Sequence, residues 1–438
     1  NVKIKIKLIP VENYTRISKS MGLGMMRNYN GISRNILLIG TSKVWVNNIS
    51  NLKTKVDKNS ANVSANIAIN SGAFNASKES DSNAVYQDNM NVRVESELLL
   101  NGSLVANAGS MNFKIESDRS IQKTINFNFS NPSLWSIEDP NLYTLRVNVY
   151  ANDVLLDSYS SKIGLKSVQF QEKRIYLNGK KILIKGVDYI EDIYKRGSSL
   201  SRKDLEKDIA LIKKLGANLI RFKYLPPSKN ILDLCDRYGL MVLVELPAYK
   251  LPSRIENTSE IKARLENIST RYEDIYSTNV SVLAWGMGTE IEYDEKPTNT
   301  YKFRKNQKFF RAYSYNNLTN LGNEDISVVS IYKSIVDYEN LASIIDKKLS
   351  SQKSIILNFG IPIQFNNNNG YLDKLSIQNQ SNIIRNLFHI VENKNLAGCI
   401  INSFNDYILE NPTLRTNNSD IYISSTGLVS RSRNIRLS

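Results

Sequence analysis

Histidine and cysteine are nearly missing from this 438-residue sequence, which has one histidine and two cysteines. His389 lies in a helical pattern without a nucleophile motif near it, which disfavours a serine–histidine–aspartate hydrolase. Cys235 and Cys399 each stand inside apolar patterns typical of small core residues. Two such cysteines define neither a disulfide framework nor a metal site, so we expect no metal and no cofactor.

Long apolar runs are also missing. Hydrophobic residues make up 41% of the chain, but no run approaches the roughly 18 residues needed to span a bilayer, so we predict no transmembrane segment. The chain opens at Asn1 without a charged-then-apolar leader, as expected of a processed chain or a fragment. Its length exceeds that of one ordinary core and indicates two or three domains.

Acidic residues are scarce relative to basic ones, which gives a net charge of +15. Residues 1–60 hold eleven lysines or arginines against only Glu12 and Asp57. This excess is typical of a solvated basic surface, or of a region that docks onto a glycan, another acidic polymer or an acidic partner. No nucleic-acid-binding motif accompanies the charge, so we do not expect nucleic acid as a partner.

The first 168 residues have the pattern of an all-β domain. They lack helical periodicity, and Val2–Leu8 alternates apolar residues with lysines, as a half-exposed edge strand does. Further strand-like runs follow at Asn35–Ile39, Val63–Ile69, Val92–Leu100 and Leu142–Tyr150. Turn-rich segments separate these runs, and this spacing predicts a β-sandwich.

From about residue 170 onward, strand and helix patterns alternate. The first of these elements are predicted strands at Ile182–Val187, Ala217–Phe222 and Leu240–Leu246, and helices at Asp204–Leu215 and Lys229–Tyr238. Gly216 and Gly239 close the two helices. This alternation continues for about 260 residues, which fits a (β/α)8 barrel with its active residues at the carboxyl ends of the strands.

The segment Ser281–Glu290 reads as a buried apolar run that ends in a single carboxylate. A comparable run at Ser354–Gly360 carries Asn358 where a second carboxylate would stand. Enzymes that split glycosidic bonds normally need two carboxyl groups in different roles. Glu290 and Asn358 together therefore raise the question of whether this chain kept a hydrolase fold and lost the hydrolase activity.

Several motifs along the chain keep the order and spacing of one enzyme family. They are Pro132–Leu145, Tyr176–Lys180, Ile184–Tyr189, Leu215–Arg221, Leu232–Gly239, Val244–Pro247, Gly398–Tyr407 and Gly427–Val429 with Arg433. Together they resemble glycoside hydrolase family 2, the family of β-galactosidases, β-glucuronidases and β-mannosidases. Gly31–Arg34 resembles the end of that family's sugar-binding jelly roll.

The resemblance implies a multidomain fold of β and α/β parts. Residues 1–42 would be the last strands of a jelly roll, 43–168 an immunoglobulin-like β-sandwich, and 169–438 a glycosidase-like (β/α)8 barrel. Family members are retaining enzymes with an acid/base glutamate after barrel strand four and a nucleophile glutamate at the end of strand seven. Glu290 matches the first position, and Asn358 falls on the second.

An amide is a very poor nucleophile and cannot offset an oxocarbenium charge as a carboxylate does. No Glu or Asp lies between Asp346 and Asp373, so a small shift of the alignment does not supply one.

Other pocket positions also depart from the family pattern. Thr289 replaces an asparagine that binds a sugar hydroxyl, Tyr224 replaces a histidine, and Asn402 replaces a tryptophan. Arg221 matches the family's barrel arginine, whose fork can hold a carboxylate such as Glu290 or Glu245. We count Arg221, Thr289, Tyr224, Asn402 and Asp406 as candidate substrate-binding residues.

Asp406 has a second interpretation, because Asn405–Asp406 also suits a hydrogen-bonded pair that closes the barrel.

Three functional hypotheses follow from these residues. The first is a non-catalytic family member that acts as a structural or binding subunit with other proteins at the cell surface or in the periplasm. The second is an active retaining β-glycosidase that uses Glu290 as its acid/base. The third is a carbohydrate-binding module without turnover. The extracytoplasmic location is implied by the family resemblance alone.

Overall fold

The computed structural model describes residues 36–57, 59–74, 89–171, 173–223, 226–248, 259–289, 308–314, 324–331, 354–409 and 422–436. The predicted strand at Val2–Leu8 and the motif Gly31–Arg34 lie outside these residues. The chain divides into two compact units, one of which contains residues 36–167 and 270–281. The other contains residues 168–269 and the described residues from 282 onward.

The first unit is an antiparallel β-sandwich of seven strands. Its strands are β1 (Val44–Val56), β2 (Ser60–Ser71), β3 (Asn89–Leu100), β4 (Ser103–Glu116), β5 (Ser120–Ser130), β6 (Tyr143–Ala151) and β7 (Val154–Ile163). One sheet has the order β1-β2-β5 and the other the order β4-β3-β6-β7. Buried and partly buried residues alternate along β6, as expected of a strand with one face on a core.

The predicted strand at Asn35–Ile39 is not observed. Residues 36–42 carry no strand among the described part of the chain, and the side chains of Ile36, Leu37, Leu38 and Ile39 are exposed. The first strand of the sandwich begins only at Val44, where Val44 and Val46 turn into the core. An apolar run alone does not make a strand, because its backbone groups also need a neighbouring strand to pair with.

The second unit begins with a small antiparallel sheet of β8 (Val168–Gln171), β9 (Arg174–Leu177) and β10 (Lys180–Ile182). The barrel strands come next along the chain. They are β11 (Ile184–Tyr189), β12 (Leu219–Phe222), β13 (Met241–Glu245), β14 (Val282–Thr289), β15 (Phe309–Ser314), β16 (Ile326–Ile331), β17 (Ile355–Phe359) and β18 (Gly398–Ile401). Each pairs in parallel with the next, and β18 pairs with β11 to close the barrel.

Four helices are described, and local sequence signals account for their ends. They are α1 (Arg202–Lys214), α2 (Lys229–Tyr238), α3 (Ser259–Tyr276) and α4 (Ile377–Asn393). Ser201 and Asp204 form a capping box at the start of α1. Gly239 ends α2 in the left-handed conformation, with φ of 66°. These local signals determine where α1 begins and where α2 ends.

A last two-stranded sheet, β19 (Tyr407–Ile408) with β20 (Ile423–Ser424), follows the barrel. The fold class predicted from the sequence is confirmed for the described residues, which form a β-sandwich followed by a closed eight-stranded parallel barrel. No helix of the described part combines the length and apolar character needed to cross a bilayer.

Candidate active site

Three of the predicted site residues lie in or directly after described barrel strands. Arg221 lies in the second barrel strand, Asn358 in the seventh, and Asn402 directly after the eighth. Thr289 is the last residue of the fourth strand, but its side chain lies outside the described residues. Glu290 and Tyr224 lie outside them altogether. The hydrogen bonds and ion pairs described for the site therefore come from residues in or directly after strands one, two, three, six, seven and eight.

Arg221 holds the carboxylate of Glu245, one of the two partners that the sequence analysis named for it. The Arg221 Nε donates to Glu245 Oε1 over 2.8 Å, and Nη2 donates to the same oxygen. Both side chains are fully buried. Gly286 permits this close packing, because a Cβ there would lie 2.5 Å from the Phe310 ring and 2.9 Å from Glu245 Cγ. The ion pair is thus built into the barrel interior.

Asn358 uses both protons of its side-chain amide. Its Nδ2 donates to Asp188 Oδ2 over 3.0 Å and to the main-chain oxygen of Ile400 over 3.2 Å. The hydroxyl of Ser330 donates to Asn358 Oδ1 over 3.4 Å. Asn358 is fully buried. Asn358, which we predict to stand at the family's nucleophile position, is therefore a hydrogen-bond donor to a neighbouring carboxylate, a role that an ionised carboxylate cannot fill.

Asp188 and Lys223 belong to this cluster, although sequence reasoning did not name them as site residues. Asp188 Oδ2 lies 3.4 Å from Lys223 Nζ, and Asp188 Oδ1 lies 3.8 Å from Arg221 Nη1. All three side chains are buried. Two acids, Asp188 and Glu245, thus face two bases in the described part of the barrel. A buried charge needs such a partner. The only signal in the sequence was a charged residue directly after each of two predicted strands.

Asn402 is 7% exposed, and its main-chain N–H donates to the oxygen of Phe359 over 2.6 Å. It follows Ile401, which pairs with Val187 in the first strand and Phe359 in the seventh. Asn402 therefore stands beside Asp188 and Gly360 at the carboxyl end of the barrel. Its assignment to substrate binding stays a prediction.

Asp406 forms a buried ion pair with Arg436. Arg436 Nη1 donates to Asp406 Oδ1 over 2.7 Å, and Nη2 donates to Oδ2. The Gly427 N–H donates to the same Oδ1 over 3.0 Å. Burial raises the pKa of Asp406, and the Arg436 ion pair offsets part of that rise. These contacts make Asp406 part of a buried ion pair, and its assignments to substrate binding and to barrel closure both stay predictions.

Two further arginines of the same C-terminal segment bind buried aspartates. Arg431 Nη2 donates to Asp192 Oδ1 over 2.7 Å. Arg433 donates hydrogen bonds from Nε and Nη2 to the two carboxylate oxygens of Asp208, over 2.7 and 2.8 Å. The Tyr189 hydroxyl also donates to Asp208, over 2.7 Å. Burial raises the pKa of Tyr189 well above its usual value, as does the Asp208 carboxylate. Arg431 and Arg433 thereby fix this segment to Asp192, which lies after the first barrel strand, and to the first helix.

The described cluster can bind and orient groups by hydrogen bonding, and at position 358, the predicted nucleophile position, it offers only an amide. A retaining glycosidase needs two carboxyl groups about 5 Å apart, one of which forms a covalent bond to the sugar. Asp188 is the carboxylate in contact with Asn358, and it is bound to Lys223 as well. A covalent glycosyl intermediate at position 358 is therefore chemically unfavourable.

Two family models match this chain. One, described as the TIM barrel domain of glycosyl hydrolases family 2, matches residues 168–374, and one described as glycosyl hydrolases family 2 matches residues 47–166. The β-galactosidase BoGH2A of Bacteroides ovatus is 30% identical over 269 residues, which are 60% of this chain and 30% of that protein. A β-galactosidase of Leuconostoc mesenteroides is 27% identical over 199 residues, which are 44% of this chain and 19% of that protein.

Solved structures share the fold. A β-glucuronidase of Bacteroides uniformis superposes with a TM-score of 0.77 at 17% identity, over 90% of this chain and 50% of that one. A β-galacturonidase of Eisenbergiella tayi, bound to galacturonate, gives a TM-score of 0.76 at 18% identity, over 94% and 74%. The chain spans less than a third of the length of the curated relatives it matches. The motifs, the barrel and both family models agree, and the chain belongs to family 2 of the glycosyl hydrolases.

Proposed function

We propose that this chain is a non-catalytic member of glycosyl hydrolase family 2 that acts as a structural or binding subunit. The observation that carries the proposal is Asn358, which occupies the nucleophile position of the seventh strand and uses its amide protons to bind Asp188 and Ile400. A carboxylate at position 358 would be repelled by the Asp188 carboxylate and could not donate a hydrogen bond to it. The cluster is therefore organised around an amide.

The substitutions around Asn358 support the same proposal. Thr289, Tyr224 and Asn402 stand where family members carry polar or aromatic residues that bind the sugar. Each change removes a hydrogen bond or a stacking surface that would hold the substrate in a reactive position. Chemical steps lose rate steeply when positioning is lost, because proximity and orientation supply much of the barrier reduction.

The subunit would work with other proteins in an assembly at the cell surface or in the periplasm. The basic charge of residues 1–60 supports contact with a glycan or another acidic polymer. Both the partner and the location are part of the proposal.

An active retaining β-glycosidase with Glu290 as acid/base is the second candidate, and the relatives favour it, since they bear the names of β-galactosidases. Carbohydrate binding without turnover is the third candidate, because the barrel interior retains polar groups after loss of the nucleophile.

One experiment separates these candidates. The purified chain is incubated with a panel of aryl β-glycosides beside its Glu290→Gln and Asn358→Glu variants, with product release followed by absorbance. We expect no release above the buffer rate from any of the three. Release by the parent that disappears in Glu290→Gln would establish the active enzyme and overturn the proposal.

Binding measurements complete the test. Calorimetric titration of the same panel without turnover distinguishes a glycan-binding module from a structural subunit. Stable co-purification with other proteins from the native source, without glycan binding, is the result expected of a structural subunit.

A further inference from the structure

A second candidate site lies in the β-sandwich, on the outer face of its four-stranded sheet. A concavity of about 430 Å³ opens there, lined in part by Asn91, Arg93, Asn112, Lys114 and Tyr150. That volume falls within the range of about 300–1,000 Å³ typical of small-ligand pockets. These residues belong to one unit and take no part in the barrel cluster, so a ligand site here is independent of the proposed function.

The strand register brings these side chains together. Arg93 of β3 stands opposite Asn112 of β4 on one side and Tyr150 of β6 on the other. Asn91 and Lys114 form the next cross-strand pair on the same face, two residues along each strand. Opposed side chains in antiparallel sheets lie about 5 Å apart, and diagonal neighbours about 7–8 Å. One ligand can therefore touch all five.

Local backbone features shape the rim of the concavity. The ladder between β6 and β7 shifts register between Val149 and Tyr150, and such a bulge redirects the side chain that comes after it. Asn152 and Asp153 form a two-residue hairpin loop in which both φ angles are positive, at 48° and 60°. This tight turn carries Asn152 and Asp153 to the edge of the concavity.

Arg93 forms the fixed floor of the concavity. Its guanidinium lies 4.4 Å from the centre of the Tyr150 ring. It also pairs with Glu95 and, over 3.1 Å, with Asp153. The charge of Arg93 is therefore already matched, and its flat guanidinium and the ring form a preorganised stack.

The remaining polar groups can bind a ligand. Within the described residues, the Lys114 ammonium and the amides of Asn91, Asn112 and Asn152 make no side-chain hydrogen bond or ion pair. Amides donate to and accept from hydroxyl groups, and the face of an aromatic ring packs against the apolar C–H face of a sugar ring. Lys114 is the one cationic side chain among the described lining residues that has no ion-pair partner.

We propose that this concavity binds one unit of an anionic saccharide. The amides of Asn91, Asn112 and Asn152 would meet its hydroxyl groups, Tyr150 would contact the apolar face of the ring, and Lys114 would pair with its negative group. That group is a carboxylate if the sugar is a uronate, or a sulfate if the sugar is sulfated.

The test is calorimetric titration of the whole chain with three oligosaccharides of equal length: an oligogalacturonate, a sulfated oligosaccharide and a neutral gluco-oligosaccharide. We expect one or both anionic probes to bind, the neutral probe to bind at least about tenfold more weakly, and binding to weaken with salt. Binding of one anionic probe alone identifies the negative group that the site takes.

Variants assign the binding to the sandwich. Lys114→Gln and Tyr150→Ala should each weaken anionic binding about tenfold. Lys162→Gln is the matched control, because Lys162 is exposed on the same sheet, bonded to Thr144, and its loss changes the net charge equally. Near-ultraviolet circular dichroism checks that each variant keeps the parent fold. Equal binding of the neutral probe, or anionic binding unchanged in both site variants, would overturn the proposal.

Discussion

Replacing Asn358 with aspartate tests whether the barrel interior is organised around an amide. The substitution removes the N–H group that donates to Asp188 Oδ2 over 3.0 Å and to the Ile400 oxygen over 3.2 Å. It also brings a second carboxylate next to Asp188 in a fully buried position. We expect the Asn358→Asp variant to be less stable than the parent at neutral pH.

The loss in free energy of unfolding follows from the distances around Asp188. Two unit charges about 4 Å apart repel by about 4 kcal/mol at an effective dielectric constant of about 20. Lys223 and Arg221, which lie 3.4 and 3.8 Å from Asp188, offset part of this repulsion. Leaving the Ile400 oxygen without its donor adds about 1–3 kcal/mol. We therefore expect a net loss of about 2–4 kcal/mol at pH 7.

The pH dependence identifies the cause as charge. A neighbouring carboxylate raises the pKa of the introduced carboxyl in the folded state above its unfolded value of about 3.9. The folded variant then binds more protons than the unfolded chain, so its stability falls as the pH rises from about 4 toward neutrality. The free energy of unfolding of the variant should therefore fall furthest below that of the parent near pH 7, and the difference should be smaller near pH 4.

The assay is urea denaturation of parent and variant at both pH values, followed by tryptophan fluorescence. The matched control is the double variant Asp188→Asn with Asn358→Asp, which restores one acid and one amide across the same gap and should regain part of the stability. The reasoning is refuted if Asn358→Asp is as stable as the parent at pH 7, or if its deficit does not shrink near pH 4.

Three further predictions concern other parts of the described structure. Arg433→Ala should lower the free energy of unfolding by about 3–5 kcal/mol, because it leaves Asp208 buried without its cation. In the control Arg237→Ala, which breaks a largely exposed pair with Glu206, the loss should stay below about 1 kcal/mol in the same urea titration. Cys235 and Cys399 should not react with a thiol reagent at pH 8 until the chain is unfolded, because both side chains are fully buried. Burial also raises the pKa of the Cys399 thiol to about 12. Reaction of either thiol in the folded chain would contradict this packing. The bonds from Arg196 and Ser201 lower the pKa of Asp204, so its contribution to stability is present above about pH 4 and is lost as the pH falls. Asp204→Asn should therefore cost about 1 kcal/mol at pH 7, the size usual for a lost capping interaction, and less at pH 3, and an equal cost at both pH values would exclude a contribution from the ionised carboxylate.

The architecture of the barrel was predictable because its signals are local. Helix α2 has the predicted bounds, Lys229–Tyr238, since a serine cap precedes it and Gly239 stops it. Strand β17 was predictable as a short apolar run, and so was the position of Asn358 within it. The exposed segment 36–39 shows the limit of this approach, because an apolar run there has no strand to pair with among the described residues.

The contacts of the candidate site were less predictable because they connect distant parts of the chain. Asn358 binds Asp188 across 170 positions, and the two meet only because the eighth strand closes the barrel between the seventh and the first. Arg221 had two carboxylate candidates in the sequence, and its bond to Glu245 depends on which strand lies beside β12. Lys223 belongs to none of the motifs found in the sequence. Its role emerges only from its burial beside Asp188.

The coupling among these buried groups bears on how readily the proposed loss of activity could be reversed. Asp188 contacts Lys223, Arg221 and Asn358 at once, and Arg221 in turn binds Glu245. A glutamate at position 358 would therefore need room, a new partner for the Ile400 oxygen and a changed charge balance around Asp188. One substitution supplies none of these, because removing a partner from a buried cluster leaves an uncompensated charge or an unsatisfied polar group. If the chain is a non-catalytic subunit, Asn358→Glu should lower stability without restoring hydrolysis, and recovery of activity in this single variant would show that the rest of the site had remained competent.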